Sequence, residues 1–317
     1  MRAQRQLDAI EHPEPWHDHV AVVIPCYNEA ATIAKVVADF RRVLPGARVI
    51  VVDNASSDDT SAIAEDAGAH VLSESRRGKG FALLHGFRAA RTARYVIMVD
   101  GDDTYPAEDA VKLIDAIENG ADVAIGTRLT DYEAGAFRST HTLGNQLFIW
   151  LIRALFGVRT RDLFSGYRAF TQRFLELSPL IAQGFEVETE LSIQALAGGF
   201  LVTEIPVRYR ARPVESPSKL NTLRDGYRIL IALLAFFRDY RPLFLFSSIA
   251  LAFFIGAAVT GSIVVSEFVR TGQILRMPSA ILSVGLALLG AVSTIGGLLL
   301  SSINRRSAEL AALISRR

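Results

Sequence analysis

The chain has 317 residues, enough for one large domain or two modest ones. Its 34 Lys and Arg nearly cancel its 33 Asp and Glu, so it lacks the basic surplus of a protein that coats nucleic acid. Half of the residues are hydrophobic and a single cysteine, Cys26, is present, which excludes a disulfide framework, a multi-cysteine metal site and a disordered chain.

Residues 1–18 read as a polar tail with no apolar run, so they are not a signal peptide. His12, His17 and His19 sit in or beside this tail and read as solvated rather than as metal ligands. From Val20 apolar strands alternate with amphipathic helices. VAVVIP is a strand and Ala31 to Val43 a helix; RVIVVD is a strand and Thr60 to Ala67 a helix; HVLSE is a short strand and Gly80 to Arg91 a helix. RYVIMVD is a strand, Pro106 to Asn119 a helix with proline in its first turn, and DVAIGTR another strand. Repeated strand–helix units with all-apolar strands predict a mostly parallel α/β sheet with helices on both faces, over residues 19–213.

In such sheets ligands bind at the carboxyl ends of the strands. Polar clusters follow four strands in order: Pro25-Cys26-Tyr27-Asn28-Glu29, Asp53-Asn54-Ala55-Ser56, Asp100-Gly101-Asp102-Asp103-Thr104 and Gly126-Thr127-Arg128. Each alone could be a turn or a helix cap; four on one edge point to a site. No G-x-G-x-x-G or P-loop follows the first strand. The Asp100-x-Asp102 pair, with Gly101 between, suits a hard divalent cation such as Mg²⁺ or Mn²⁺, which commonly also binds substrate phosphates. The RRGKG stretch (Arg76 to Gly80) is a basic, glycine-containing loop ahead of a helix and suits a phosphate.

Downstream, Leu143, Leu147, Trp150, Leu151 and Leu155 form an apolar stripe followed by basic residues from Arg153 to Arg161. A Pro-containing stretch, Arg212 to Leu220, reads as a joint to the C-terminal module. Residues 214–242 form an amphipathic segment, with Leu220, Leu223, Tyr227, Leu230, Ile231, Leu234 and Phe237 at helical spacing. Within 243–304, Leu243 to Ser266 and Met277 to Asn304 contain no charged residue, and each is long enough to cross a bilayer. Gly256, Gly261, Gly285, Gly290, Gly296 and Gly297 suit close helix packing. Arg224, Arg228, Arg238 and Arg241 precede the pair, and the 305–317 tail carries Arg305, Arg306, Arg316 and Arg317. The loop between the spans carries Arg270 and Arg276. The positive-inside rule places both chain ends in the cytoplasm.

The ordered set VVIPCYNEA, VVDNASSDDT, RRGKG, MVDGDDTYP, IGTR and DLFSGYRAF resembles the family 2 glycosyltransferases, closest to the dolichol-phosphate mannose synthase and bacterial polyprenyl-phosphate sugar transferase branch. The resemblance spans about Val20 to Leu220, roughly two thirds of the chain. It implies the GT-A nucleotide-sugar transferase fold, with the C-terminal pair as a transmembrane hairpin, an inverting reaction and a divalent cation. It implies a nucleotide-sugar donor, a UDP-sugar favoured over GDP-mannose because Asn54 follows Asp53 where many mannose synthases have a second aspartate. The implied acceptor is an undecaprenyl-type polyprenyl phosphate at the bilayer surface. Members of the branch form tetramers, and the glycine-rich spans permit one.

Carried over by motif, the resemblance places Pro25, Tyr27 and Glu29 around the nucleoside and Asp53 on its base. Lys79 lies in the loop near the donor, and Asp100, Gly101 and Asp102 form the family's D-x-D on donor and metal. Thr104 stands where some mannose synthases have a metal-binding glutamine. Arg128 faces the phosphates, Asp162, Ser165 and Gly166 match a D-x-x-S-G motif near the acceptor, and Arg212 and Lys219 close over the phosphates. Asp162 orients the acceptor or acts as a base, and an arginine between it and the acceptor phosphate is needed to offset repulsion. Arg161 and Arg168, near it in sequence, read as a solvated basic face under anionic lipid. The absence of a Q-x-x-R-W motif and the presence of only two spans argue against a processive polysaccharide synthase. A non-polyprenyl acceptor and an inactive membrane scaffold are the remaining alternatives.

Overall fold

The computed structural model describes residues 19–128, 162–181, 184, 186–212, 237–239 and 241–314. The chain divides into two compact units, Met1–Ala232 and Leu233–Arg317. In the first unit, β1 (Val20–Cys26), β2 (Arg48–Asp53), β3 (His70–Ser73), β4 (Tyr95–Met98), β5 (Val123–Thr127), β6 (Arg168–Thr171) and β7 (Val202–Pro206) make one sheet in the order β3-β2-β1-β4-β6-β5-β7. The helices are α1 (Ile33–Val43), α2 (Thr60–Asp66), α3 (Lys79–Ala89), α4 (Asp109–Glu118), α5 (Gln172–Leu177) and α6 (Val187–Ala197).

The period of two along each strand divides the interior. Val20, Val22 and Ile24 of β1 face a core with Ile33, Val36 and Phe40 of α1 and Leu113 of α4. Ala21 and Val23 face the opposite core, with Leu83 and Phe87 of α3, Phe174 of α5 and Leu191 of α6. Both sheet faces are therefore covered, which is why the central strands carry apolar residues at consecutive positions.

Most pairings are parallel, but β6 runs antiparallel between β4 and β5, with Arg168 opposite both Met98 and Ile125. The segment entering β6 therefore arrives at the edge from which β4 and β5 leave. β7 is parallel to β5, so residues 207–212 leave at the same edge. This arrangement assembles the site.

Some helix starts differ from expectation. α4 begins at Asp109, not Pro106; Pro106 and Ala107 lie in a turn whose carbonyls accept from Asp109 and Ala110 N–H groups and from the Tyr167 hydroxyl. α1 begins at Ile33, after a turn closed on the Glu29 carbonyl.

The second unit pairs α7 (Pro242–Thr271, 30 residues) with α8 (Met277–Ile314, 38 residues) across a turn with Gly272 in the left-handed region. Gly261 meets Ser283, Gly297 meets Phe246, and Ser283 Oγ donates to the Ala257 carbonyl at 2.9 Å. Gly285 faces open space rather than the partner helix. Only 11% of the most apolar window of each helix is buried. A soluble core helix would bury most of that surface. The N-terminal tail, the 143–155 stripe, and residues 213–236 with Lys219 lie outside the described residues, as does Arg161.

Candidate active site

Loops after β1 and β2 are stitched together by hydrogen bonds. Asn28 N–H donates to Ser56 Oγ at 2.9 Å, and Asn28 Oδ1 accepts from Ser57 N–H at 2.7 Å. Glu29 N–H donates to Thr60 Oγ1, and Ala30 N–H to Asp58. Asn28 and Ala55 hold positive φ angles of 54° and 58°, conformations the cross-links maintain. Pro25 and Tyr27 are half-buried here, and Glu29 and Asp53 are buried. Asp53 Oδ1 accepts from Ser56 N–H at 3.3 Å, and Arg77 stacks over the Tyr27 ring at 5.1 Å.

Asn54 turns away from this pocket. Its amide donates to the carbonyls of Glu74 and Arg76 and accepts from Gly78 N–H at 2.7 Å. It therefore anchors the RRGKG loop. Lys79 follows as the first residue of α3.

At the end of β4, Asp100 and Asp102 each face a basic partner. Lys79 Nζ donates to Asp100 Oδ1 at 2.5 Å, and Arg212 pairs with Asp102 Oδ2. Thr104 Oγ1 donates to Asp102 Oδ1 at 2.6 Å, so its hydroxyl braces that carboxylate. Burial raises the Asp100 carboxyl, but Lys79, together with Arg212 and Arg128, outweighs it and holds it below the usual range. Burial and the neighbouring Asp100 charge push Asp102 up, against the pull of Arg212 and Thr104. Gly101 lies where a Cβ would meet Cys26 Sγ at 2.7 Å, so the turn between the aspartates packs on β1.

Lys79 also donates to Glu188 Oε1 of α6 at 2.5 Å. Glu188 is 4% exposed, and its Oε2 has no hydrogen-bond partner among the described residues. Glu188 was not singled out in the sequence, because no local motif surrounds it and its link to Asp100 spans the fold.

The segment before β6 brings the D-x-x-S-G motif alongside. Asp162, fully buried, takes a bidentate pair from Arg128, with Nε to Oδ2 at 2.7 Å and Nη2 to Oδ1 at 2.8 Å. Burial raises the Asp162 carboxyl, but Arg128 prevails and holds it below the usual range. The arginine that offsets the Asp162 charge is Arg128, the residue after β5, and not Arg168. Gly166 packs directly against the Asp100 carboxylate, where a Cβ has no room. Ser165 is buried, and its hydroxyl accepts from Tyr167 N–H at 3.2 Å.

Arg168 is not a solvated basic residue. It is fully buried, donating to the carbonyls of Leu163 and Ser165 and to Ser192 Oγ of α6. Burial lowers its guanidinium to about 10. Its strand position explains the difference: β6 is inserted between two strands, so the side chain enters the interior beneath the motif it fastens.

Beyond β7, alternate arginines each find an acid: Arg208 on Asp109, Arg210 on Asp103 and Arg212 on Asp102. Arg210 N–H donates to the Thr104 carbonyl at 2.9 Å, so this strand-like run lies along the D-x-D turn. The period-two pattern of R-x-R-x-R is visible in the sequence, although only Arg212 is singled out there.

Among the described residues no cluster of three or more His, Cys, Asp and Glu side chains forms a closed metal site. The oxygens of Asp100 and Asp102 fit an ion completed by water and substrate phosphate, the usual arrangement for Mg²⁺.

Residues 21–177 match the family model described as glycosyl transferase family 2. The glycosyltransferase AglJ of Haloferax volcanii is 40% identical over 240 residues, covering 75% of this chain and 78% of that protein. A dolichyl-phosphate hexose transferase of the same organism is 32% identical, covering 67% and 91%. The polyprenol monophosphomannose synthase of Mycolicibacterium smegmatis is 31% identical, covering 60% and 77%. The structure of glucosyl-3-phosphoglycerate synthase from Mycobacterium tuberculosis with Mn²⁺ and UDP-glucose superposes with a TM-score of 0.57 at 24% identity, covering 73% and 82%. That likeness establishes the GT-A fold.

Proposed function

The chain belongs to glycosyl transferase family 2, and from that footing we propose that it transfers a sugar, with inversion, from a nucleoside-diphosphate sugar to a polyprenyl monophosphate at the cytoplasmic membrane face. The observation that carries this reading is the convergence, on one sheet edge, of the D-x-D pair, Lys79, Arg212 and the Arg128–Asp162 pair. The relatives named for dolichyl and polyprenol phosphates support the acceptor class, and the long, exposed apolar helices α7 and α8 support a membrane location.

Asp100 and Asp102 would hold Mg²⁺ or Mn²⁺, which supplies positive charge against the leaving diphosphate. Pro25, Tyr27, Glu29 and Asp53 line the nucleoside pocket. Lys79 and Arg212 neutralise the diphosphate, with Lys219 beyond them in the chain. Arg128, fixed by Asp162, presents positive charge to the acceptor phosphate, and Ser165 holds the adjoining turn. A phosphate monoester has its second pKa near ~6 and is largely a dianion at neutral pH. Its oxygen attacks the sugar C1 as the bond from C1 to the diphosphate oxygen breaks, so no base is required. Asp162, depressed and locked to Arg128, is then an orienting group.

Glu188 Oε2, without a hydrogen-bond partner among the described residues, favours a second reading, transfer to a hydroxyl acceptor whose proton this carboxylate would take. One experiment separates the two. Full-length protein in lipid is incubated with undecaprenyl phosphate, Mg²⁺ or Mn²⁺ and labelled UDP- and GDP-sugars. Metal-dependent label in the organic phase supports the polyprenyl reading and identifies the sugar. Nucleotide binding without any lipid label sinks it and moves the hydroxyl acceptor forward.

A further inference from the structure

Asp103 stands directly after the D-x-D pair, with a φ of 58° in the left-handed region that few non-glycine residues adopt. That reversal returns the chain toward Asp102, so Thr104 offers both its N–H, at 3.2 Å, and its Oγ1, at 2.6 Å, to Asp102 Oδ1. The setting of the buried Asp102 carboxylate therefore depends on the conformation of the residue after it. Asp103 is in turn gripped from two distant parts of the chain. Its Oδ1 accepts from Lys35 Nζ of α1 at 2.6 Å and from Arg210 Nη1 at 3.3 Å. The same two segments hold the flanking carbonyls: Thr32 Oγ1, at the start of α1, donates to the Gly101 carbonyl at 2.7 Å, and Arg210 N–H donates to the Thr104 carbonyl at 2.9 Å. A single exposed ion pair contributes little. Here two cations and two carbonyl bonds converge on four consecutive residues, and the Asp103 side chain is only 16% exposed.

We propose that Asp103 is a positioning residue: clasped between Lys35 and Arg210, it fixes the turn that presents Asp102 to the divalent cation. This role rests on the cation site proposed at Asp100 and Asp102 and deepens it. It brings in α1, an element that carries none of the proposed ligands. Asp103 acts through Asp102 and Thr104, and Lys35 acts through Asp103. The clasp also predicts a sign. Lys35 is a positive charge near a cation site, so by its field alone its removal would tighten cation binding. As a clasp, its removal loosens the turn and weakens cation binding.

The test uses the full-length protein in detergent with saturating UDP or GDP. Mn²⁺ affinity is read from the electron paramagnetic resonance signal of the free ion, and folding from denaturant curves. Asp103→Asn weakens Mn²⁺ binding about 10-fold, the scale on which groups that orient metal ligands act. Lys35→Met weakens it several-fold, in the same direction, and Lys35→Arg keeps most of the affinity. In the Asp103→Asn background Lys35→Met has no further effect, because no carboxylate remains to be clasped. Asp103→Gly separates charge from backbone. Glycine takes this φ without strain, so the variant unfolds no more easily than Asp103→Asn, yet it binds Mn²⁺ as weakly. A purely structural role would shift the unfolding curves and leave the Mn²⁺ affinity of the folded protein unchanged. If Lys35→Met tightens Mn²⁺ binding, or if Asp103→Asn leaves it unchanged, the clasp falls and the cation site stands. If the folded natural sequence binds no Mn²⁺ with either nucleotide, the cation site falls and the clasp with it.

Discussion

The two ends of the site edge are held together by different physics. At the β1–β2 end, mainly uncharged hydrogen bonds join the loops: Asn28 to Ser56 and Ser57, Glu29 N–H to Thr60, Asn54 to the backbone of 74–78. At the β4–β6 end, charges do the joining: Lys79 between Asp100 and Glu188, Arg212 on Asp102, Arg128 on Asp162. The hydrogen-bonded end has its loops fixed by these bonds, which suits the nucleoside pocket of the proposed function. The charged end has its cations and anions paired internally, so a ligand bearing both signs can replace those partners. Hydrogen bonding at one end and charge pairing at the other are what the proposed donor, with a neutral base and a charged diphosphate, would call for.

Removing charge from the β4 end gives the largest expected effect. Asp102→Ala, or EDTA, lowers lipid-linked label by at least about 10²-fold, the scale of losing a preorganised charge contact. Cooperative unfolding of that variant, followed by circular dichroism, separates this loss from misfolding.

Next comes the fixed pair. Asp162→Asn leaves the Arg128 guanidinium facing a neutral amide in a buried site, with an expected loss of about 3 kcal/mol in denaturant unfolding. The Asp162 carboxyl lies below its ordinary value in the folded chain. Its contribution is therefore fully present above the unfolded-state value near ~4 and is lost as pH falls through the lower folded value. Activity near neutral pH shows no limb from Asp162; an acid limb near ~6 reports the acceptor phosphate instead.

The hydrogen-bonded end responds less, and in stability before chemistry. Asn54→Ala frees two carbonyls and one N–H, costing about 1–3 kcal/mol, and raises KM for the donor by loosening the loop that carries Lys79. If kcat falls as far as it does in Asp102→Ala, the contrast between the two ends is wrong.

The smallest effect is expected at Glu74. Its hydrogen bonds from Arg76 hold the carboxyl down at about 2. Arg76 is 55% exposed, so Glu74→Gln costs below about 1 kcal/mol in water. That contribution is present above the unfolded-state value near ~4 and disappears as pH falls toward 2.

Local pattern made much of this legible. Ile33, Val36, Val37 and Phe40 announce α1 by their spacing, and the unbroken apolar runs of β1 and β2 announce buried parallel strands. The ordered strand-end clusters announce a ligand edge, and the uncharged 243–266 and 277–304 stretches announce two long apolar helices. Each helix, strand and cluster is a local signal, where periodicity and charge suffice.

Partnership across the chain was not legible. Arg168 looked like a surface charge when grouped with Arg161 as a basic face; insertion of β6 between β4 and β5 buries it. Asn54 looked like a clue to the base, and its amide serves the loop 20 to 24 residues downstream. Glu188 has no motif of its own and meets Lys79 from 109 residues away. Composition and periodicity by themselves determined β1 to β5, α1 to α4, the two long apolar helices and which edge of the sheet is polar, but not β6, β7, α5 or α6. Tertiary structure decided which charge neutralises which, because strand order sets those pairings and depends on contacts between distant parts of the chain.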